Sequence, residues 1–312
     1  MILNTVQRMR PGLAVCCYFC FIFLGGALLA PWIHKLIGLA NTVSPLFQSL
    51  ANQPFHRYVS RAFIVLGILG LWPFLRSLAI SSWQDVGLKR TSNGRRDFAR
   101  GLGLGFLSLM IVVLVTWVAG ARVFKPDLSS TQLLKHLTNA TLAAAVVSGI
   151  EEIFFRGAIF GALRRSHSWK ASLLGSSAIY ALLHFFERPA PSPSIEWHSG
   201  LTTLASMSAG LVDLPRLIPG FLTLTVAGCI LGLAYQRTGS LMLSIGLHAG
   251  WIFWLKSYGF LTRENAAAST WFWGSSKLID GWVAFVILCA VFQCLIRWLK
   301  PPPECSTRIP ST

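Results

Sequence analysis

The sequence predicts an all-α fold: a polytopic transmembrane helix bundle of about eight spans, with both termini cytoplasmic. Three observations carry this expectation. Hydrophobic residues make up 54% of the 312 and charged residues only 12%, about half the charged share of a soluble domain. The apolar residues come in long blocks rather than amphipathic stripes, so the surface they form suits lipid rather than water. Basic residues cluster between those blocks, where the positive-inside rule places them on cytoplasmic loops.

A span needs about 20 mostly apolar residues to cross the hydrocarbon. The blocks that qualify are 12–31, 60–80, 101–121, 139–163, 171–186, 217–236, 239–257 and 280–299, the fifth being the shortest. Arg8 and Arg10 precede the first block in the manner of a secretory signal. The apolar run is longer than an h-region of about 7–15 residues and no A-x-A site follows, so it reads as a retained span. Lys89, Arg90, Arg95, Arg96 and Arg100 crowd one short loop, which orients it to the cytoplasm. Counting spans from there puts Arg164, Arg165, Lys170, Arg237, Arg297 and Lys300 on the same side. Trp32, Trp83, Trp169, Trp271 and Trp273 fall near the block ends, as an interfacial aromatic belt requires.

The excess of 27 Lys and Arg over 11 Asp and Glu gives a net charge of +16. No nucleic-acid-binding motif accompanies it, so the expected basic-side partner is the lipid bilayer and no nucleic acid is expected. The Cys17-Tyr-Phe-Cys20 segment has C-x-x-C spacing without a second ligand pair, and reads as small side chains inside a helix. The segment 187–215, with Pro189, Pro191 and Pro193, reads as an irregular connector or a lid. The polar, proline-rich tail at 301–312 is expected to lack packed structure.

The fourth block holds charges where lipid depth should forbid them: Glu151-Glu152-Ile-Phe-Phe-Arg156. Each ionisable group at mid-span costs about 2.5–3.5 kcal/mol on insertion scales, so three unpaired ones would cost roughly 8–10 kcal/mol. Glu152 and Arg156 are four apart and lie on one helical face in the favourable acid-before-base order. Glu151 points about 100° away and remains available as a carboxylate for catalysis or ion binding. His184 ends the fifth block and His248 sits inside the seventh. A buried carboxylate with a histidine can act as general base on water. A second histidine can donate a hydrogen bond to the oxyanion formed when water attacks an amide. The same residues also suit a proton- or ion-coupled transporter, or a zinc site with Glu151, His184 and His248 as ligands.

Three segments together resemble the CPBP (CAAX-processing and bacteriocin-processing) family of intramembrane glutamic endopeptidases. They are Glu151-Glu152-Ile-Phe-Phe-Arg156, Tyr180-Ala-Leu-Leu-His184 and His248-Ala-Gly-Trp-Ile252, on consecutive apolar blocks. The family carries E-E-x-x-x-R, an aromatic-x-x-x-His segment in which Phe is common, and His-x-x-x-Asn. Here Tyr180 stands for the Phe, and Ile252 replaces the usual Asn. The resemblance implies a membrane protease that needs no cofactor and no metal, acting on a membrane-associated protein or peptide. It implies that Glu151 and His184 position and deprotonate the attacking water, that His248 stabilises the oxyanion, and that Glu152 and Arg156 support the first helix. The departure at Ile252 removes a second oxyanion donor, and Ser244, one turn before His248, is the nearest substitute in sequence. The resemblance covers about residues 139–257, expected to be the catalytic transmembrane core; residues 1–138 read as N-terminal helices with the basic loop, and 258–312 as a last span with its tail. The implied location is the cell membrane, as a multi-pass protein.

Overall fold

A computed structural model describes residues 10–300, except 188 and 190–193. Both termini, the 301–312 tail, Arg8, Pro191 and Pro193 therefore lie outside the described residues. The described residues are mostly helical. The main helices are α1 (Pro11–Val43), α2 (Phe55–Ser77), α3 (Gly94–Val118), α4 (Ser130–Glu152), α5 (Trp169–Leu183), α6 (Ser199–Met207), α7 (Leu214–Thr238), α8 (Met242–Leu261) and α9 (Trp282–Trp298). Two three-residue strands, β1 (Arg122–Phe124) and β2 (Thr262–Glu264), pair antiparallel with Arg122 opposite Glu264.

The expected count of eight spans is corrected. Each of the eight apolar blocks is helical, but among the described residues four helices are long and apolar enough to cross a membrane: Pro11–Val43, Phe55–Ser77, Gly94–Val118 and Leu217–Thr238. The reasons are length and polar dilution. At 1.5 Å per residue, the 15 residues of α5 reach only about 22 Å, against a hydrocarbon core of about 30 Å. Helix α9 has 17 residues. Helix α4 carries Lys135, His136, Asn139 and the Glu pair. Helix α8 carries Ser244, His248, Lys256 and Ser257, and buries both faces of its central turns from Leu243 to Ile252 rather than presenting an apolar side outward. The segment after Glu187 is also more regular than expected, since α6 and a helical turn at Ser208–Leu211 occupy part of it.

The chain divides into two compact units. The first comprises residues up to Ser82 with Ala162–His167 and Leu182–Leu217. In it α1 and α2 pack antiparallel through glycines: a Cβ on Gly26 would lie 2.5 Å from the Phe63 ring, and one on Gly70 would lie 2.9 Å from Phe21. Helix α6 closes on α1 at Gly200, whose Cβ would fall 1.8 Å from the Ala27 carbonyl oxygen. Large apolar side chains such as Leu36, Ile68 and Leu69 remain more than 60% exposed, which is the surface expected of helices that face lipid.

The second unit comprises Trp83–Gly161, Ser168–Ala181 and the chain from Ile218 on, and it holds the site. Its core gathers Leu109, Val112 and Val113 of α3, Ile230, Leu231 and Ala234 of α7, Leu247 and Trp251 of α8, and Leu288 of α9. Helices α3 and α8 run parallel and close together because each carries a small-xxx-small pair. A Cβ on Gly101 or Gly105 would lie 2.2 or 2.0 Å from the carbonyl oxygens of Leu243 or Leu247. A Cβ on Gly246 or Gly250 would lie 2.1 or 2.4 Å from the backbone of Phe98 or Phe106. In lipid, where apolar burial gives helices no drive to associate, such backbone approach supplies the packing. Hydrogen bonds then fix the register: Trp251 Nε1 donates to Ser108 Oγ at 2.9 Å, and Trp254 Nε1 donates to the Phe106 carbonyl at 2.9 Å. At the far end Arg122, 3% exposed, donates to Thr262 Oγ1, pairs with Glu264 at 2.9 Å and covers the Tyr258 ring at 4.7 Å.

Helix α4 packs antiparallel against the other side of α8. It starts with a capping box, in which Ser129 accepts from the Gln132 amide and Gln132 accepts from the Ser129 amide, satisfying two N-terminal donors. His136 stacks on Phe260 with centroids 3.8 Å apart. At steps of about two turns towards the C-terminus, Ala144 meets Ala249 and Ile252, and Glu152 meets His248.

Candidate active site

Helix α4 ends at Glu152, and the chain continues as a π-helical stretch, Ile153–Phe160. Eight residues of π-helix are uncommon, and such geometry concentrates at functional sites. Its Gly157 lies against the loop before α3, where a Cβ would sit 2.7 Å from the Val86 carbonyl oxygen. The stretch therefore begins one residue beyond the carboxylates and carries Arg156 into the interior.

Four charged or titratable side chains meet there. Glu152 is fully buried, and its Oε1 accepts from Arg156 Nη1 at 3.0 Å and from His248 Nδ1 at 2.8 Å. A carboxylate only accepts, so Nδ1 of His248 carries a proton. The ring is thereby aimed, with Nε2 facing the other carboxylate, Glu151 Oε2, at 3.7 Å. That is longer than a direct hydrogen bond and suits a shared water. Glu151 is 28% exposed at its side chain, yet Oε2 itself is buried without a hydrogen-bond partner among the described residues. Arg156, 2% exposed, also donates to the Gly228 carbonyl at 3.4 Å and covers the Tyr180 ring at 4.6 Å. Glu152 thus pairs with Arg156 and His248 within one interior cluster. A closed set of this kind avoids the cost of an uncompensated charge in low dielectric.

Tyr180 completes the wall. It is 3% exposed, and its hydroxyl lies 3.5 Å from His248 Nε2. Phe155 meets its ring edge-on at 5.0 Å and 85°. Gly228 brings α7 against α5 in the same place, since a Cβ there would meet Ser177 at 2.7 Å.

The structure thus brings together Glu151, Glu152, Arg156 and His248. Ser244 is buried on α8, where its hydroxyl donates to the Leu231 carbonyl at 2.9 Å. His184 lies in the turn that follows α5, four residues beyond Tyr180, is exposed, and belongs to the first unit. Ile252 is 5% exposed in an apolar cluster with Ala144 and Ala249, and with Val147 and Phe253 packed against it. No group of three or more His, Cys, Asp or Glu residues that could hold a metal ion occurs among the described residues. Sequence spacing had no means of finding the Glu152–His248 bond, which joins residues 96 apart. It also passed over the hydroxyl of Tyr180 as a site group, although a phenol one turn before His184 was a visible signal.

The described residues hold several long apolar helices, as in a multi-pass membrane protein, and a buried Glu/His cluster. Residues 133–254 match the family described as Type II CAAX prenyl endopeptidase Rce1-like. The chain therefore carries a CAAX-protease-like domain over that segment, and the segment contains every residue of the cluster. No curated protein and no solved structure matches the chain.

Proposed function

We propose that this chain is an intramembrane glutamic endopeptidase, a multi-pass protein of the cell membrane that hydrolyses a peptide bond of a membrane-associated protein or peptide. The observation that carries the proposal is the partly exposed Glu151 carboxylate, whose buried Oε2 lies 3.7 Å from a histidine nitrogen held in place by a second carboxylate. A water between Glu151 and the substrate carbonyl gives its proton to Glu151 as its oxygen bonds to the carbonyl carbon. The carbonyl π pair moves to oxygen, and a hydrogen bond from His248 Nε2–H stabilises the oxyanion. Collapse re-forms the carbonyl and breaks the C–N bond, and the leaving amine takes the proton from Glu151. His184 is retained as a catalytic candidate on the resemblance alone. Glu152 and Arg156 hold His248 and the start of the π-helical stretch. No metal, cofactor or nucleic acid takes part.

The test compares C-terminal peptides of membranes with and without the protein to find a substrate, then assays Glu151→Gln and His184→Ala. Loss of cleavage in both, with normal membrane insertion and no effect of chelators on the parent protein, is expected. Full processing by Glu151→Gln would overturn the protease reading. A transport defect in that variant would then favour an ion-coupled carrier, and reversible inhibition by chelators would favour a zinc enzyme.

A further inference from the structure

An oxyanion site stabilises the reaction best with more than one fixed donor, and His248 is a single group. The position four residues after it, Ile252, has no donor and packs among apolar side chains. The Ser244 hydroxyl donates to the Leu231 carbonyl. We propose that the phenolic hydroxyl of Tyr180, 3.5 Å from His248 Nε2, is the second hydrogen-bond donor to the oxyanion. The proposal rests on the endopeptidase reading and names a further catalytic residue within it.

Geometry favours this group. The nitrogen that Tyr180 approaches is the one that faces Glu151, so phenol, imidazole and catalytic carboxylate converge on one region. The ring is held on three sides. Arg156 covers its face at 4.6 Å, Phe155 meets it edge-on at 5.0 Å, and the His248 ring stands at 81° to it with centroids 6.2 Å apart. Such a hydroxyl needs little reorganisation when charge develops beside it, which is the condition for electrostatic stabilisation in a low-dielectric site. No proton leaves Tyr180. As water adds to the carbonyl carbon, the π pair moves to oxygen, and the O–H hydrogen bond from Tyr180 to that oxygen shortens. On collapse the pair returns to the carbonyl and the amine departs with the proton held by Glu151.

The experiment uses the full-length protein in detergent or proteoliposomes. Its probes are the membrane peptide whose cleavage depends on the presence of the protein, made as a fluorogenic peptide, and the phosphinate counterpart of that peptide as a tetrahedral oxyanion mimic. Tyr180→Phe, which removes one oxygen, should lower kcat by about 10²–10³-fold, the usual effect of losing one oxyanion donor. KM should change little. Affinity for the phosphinate should fall by a comparable factor while affinity for uncleaved peptide holds, since only the former resembles the transition state. Adding Ile252→Asn to Tyr180→Phe should recover at least tenfold of the lost kcat. Values are taken per folded molecule from the bound phosphinate at saturation, so partial unfolding does not obscure them. Unchanged kcat and phosphinate affinity in Tyr180→Phe, with Glu151→Gln inactive, would overturn the role of Tyr180 and leave the endopeptidase reading standing. Cleavage by Glu151→Gln would overturn that reading itself.

Discussion

His248 Nδ1 lies 2.8 Å from Glu152 Oε1, so a carboxylate on the last turn of α4 sets the orientation of the imidazole on α8. The same oxygen accepts from Arg156. One fully buried residue therefore satisfies a guanidinium and an imidazole at once, while its neighbour Glu151 makes the long, exposed-edge contact on the other ring nitrogen.

This asymmetry predicts unequal stability effects. Removing one partner from a buried charge pair costs about 3–5 kcal/mol, because the other charge is left uncompensated. Glu152→Ala strands Arg156 and lets His248 turn, and should lower accumulation in membranes and thermal stability in detergent by an amount in that range. Glu151→Ala, at a partly exposed position whose Oε2 makes no hydrogen bond among the described residues, should cost much less. Equal melting temperatures for the two variants would contradict the division of labour.

The glycine contacts between α3 and α8 predict a second contrast. Gly105→Ala would drive a Cβ to 2.0 Å from the Leu247 carbonyl oxygen, and backbone cannot yield as a side chain tip can. Overpacking of this kind costs about 1–3 kcal/mol or more, and it would also displace His248, one residue along. Gly103→Ala meets nothing within 4 Å and replaces a poor helix former, so it should be neutral or stabilising by up to about 1 kcal/mol. Thermal unfolding of the two proteins, with cleavage rate for the first, decides the matter.

Much of this arrangement was legible in the sequence. The eight apolar blocks are helices, and of the charges at 151–156, which lie on adjoining helical segments, Glu152 and Arg156 are buried in protein. The span count failed because a run of apolar letters does not reveal where a helix stops. Helix α5 ends at Leu183, and α8 spends its length on Ser, His and Lys that require a protein environment. The π-helical stretch and the β1–β2 pair carry no periodic signal. The link between Glu152 and His248 depends on α4 and α8 running antiparallel, a tertiary fact that spacing along either helix does not contain.

Orientation gives a third prediction. Helix α3 has 25 residues, roughly 37 Å at 1.5 Å per residue, which exceeds the hydrocarbon thickness. Lys89, Arg90, Arg95, Arg96 and Arg100 gather at or near its N-terminal end, so that end should face the cytoplasm. A reporter fused after Arg90 should report cytoplasm, and one fused after Asp127 should report the opposite side. The same side for both would remove α3 from the set of crossing helices.

The last prediction concerns Ile252. Its side chain is 5% exposed and packs with Ala144, Ala249, Val147 and Phe253. Asparagine there would bring an amide into an apolar cluster, at a cost of about 1–3 kcal/mol on the scale of mutational data. Ile252→Asn alone should therefore lower the melting temperature. If Tyr180 already supplies the second donor, it should leave kcat per folded molecule within about twofold, well below the 10²–10³-fold worth of an oxyanion donor. The stability loss and the catalytic gain are thus separated by background: the loss appears in both the parent and Tyr180→Phe, the gain only in Tyr180→Phe. A large rise in kcat for the single variant would mean that the parent site lacks a second donor, and that residue 252, not residue 180, limits the rate.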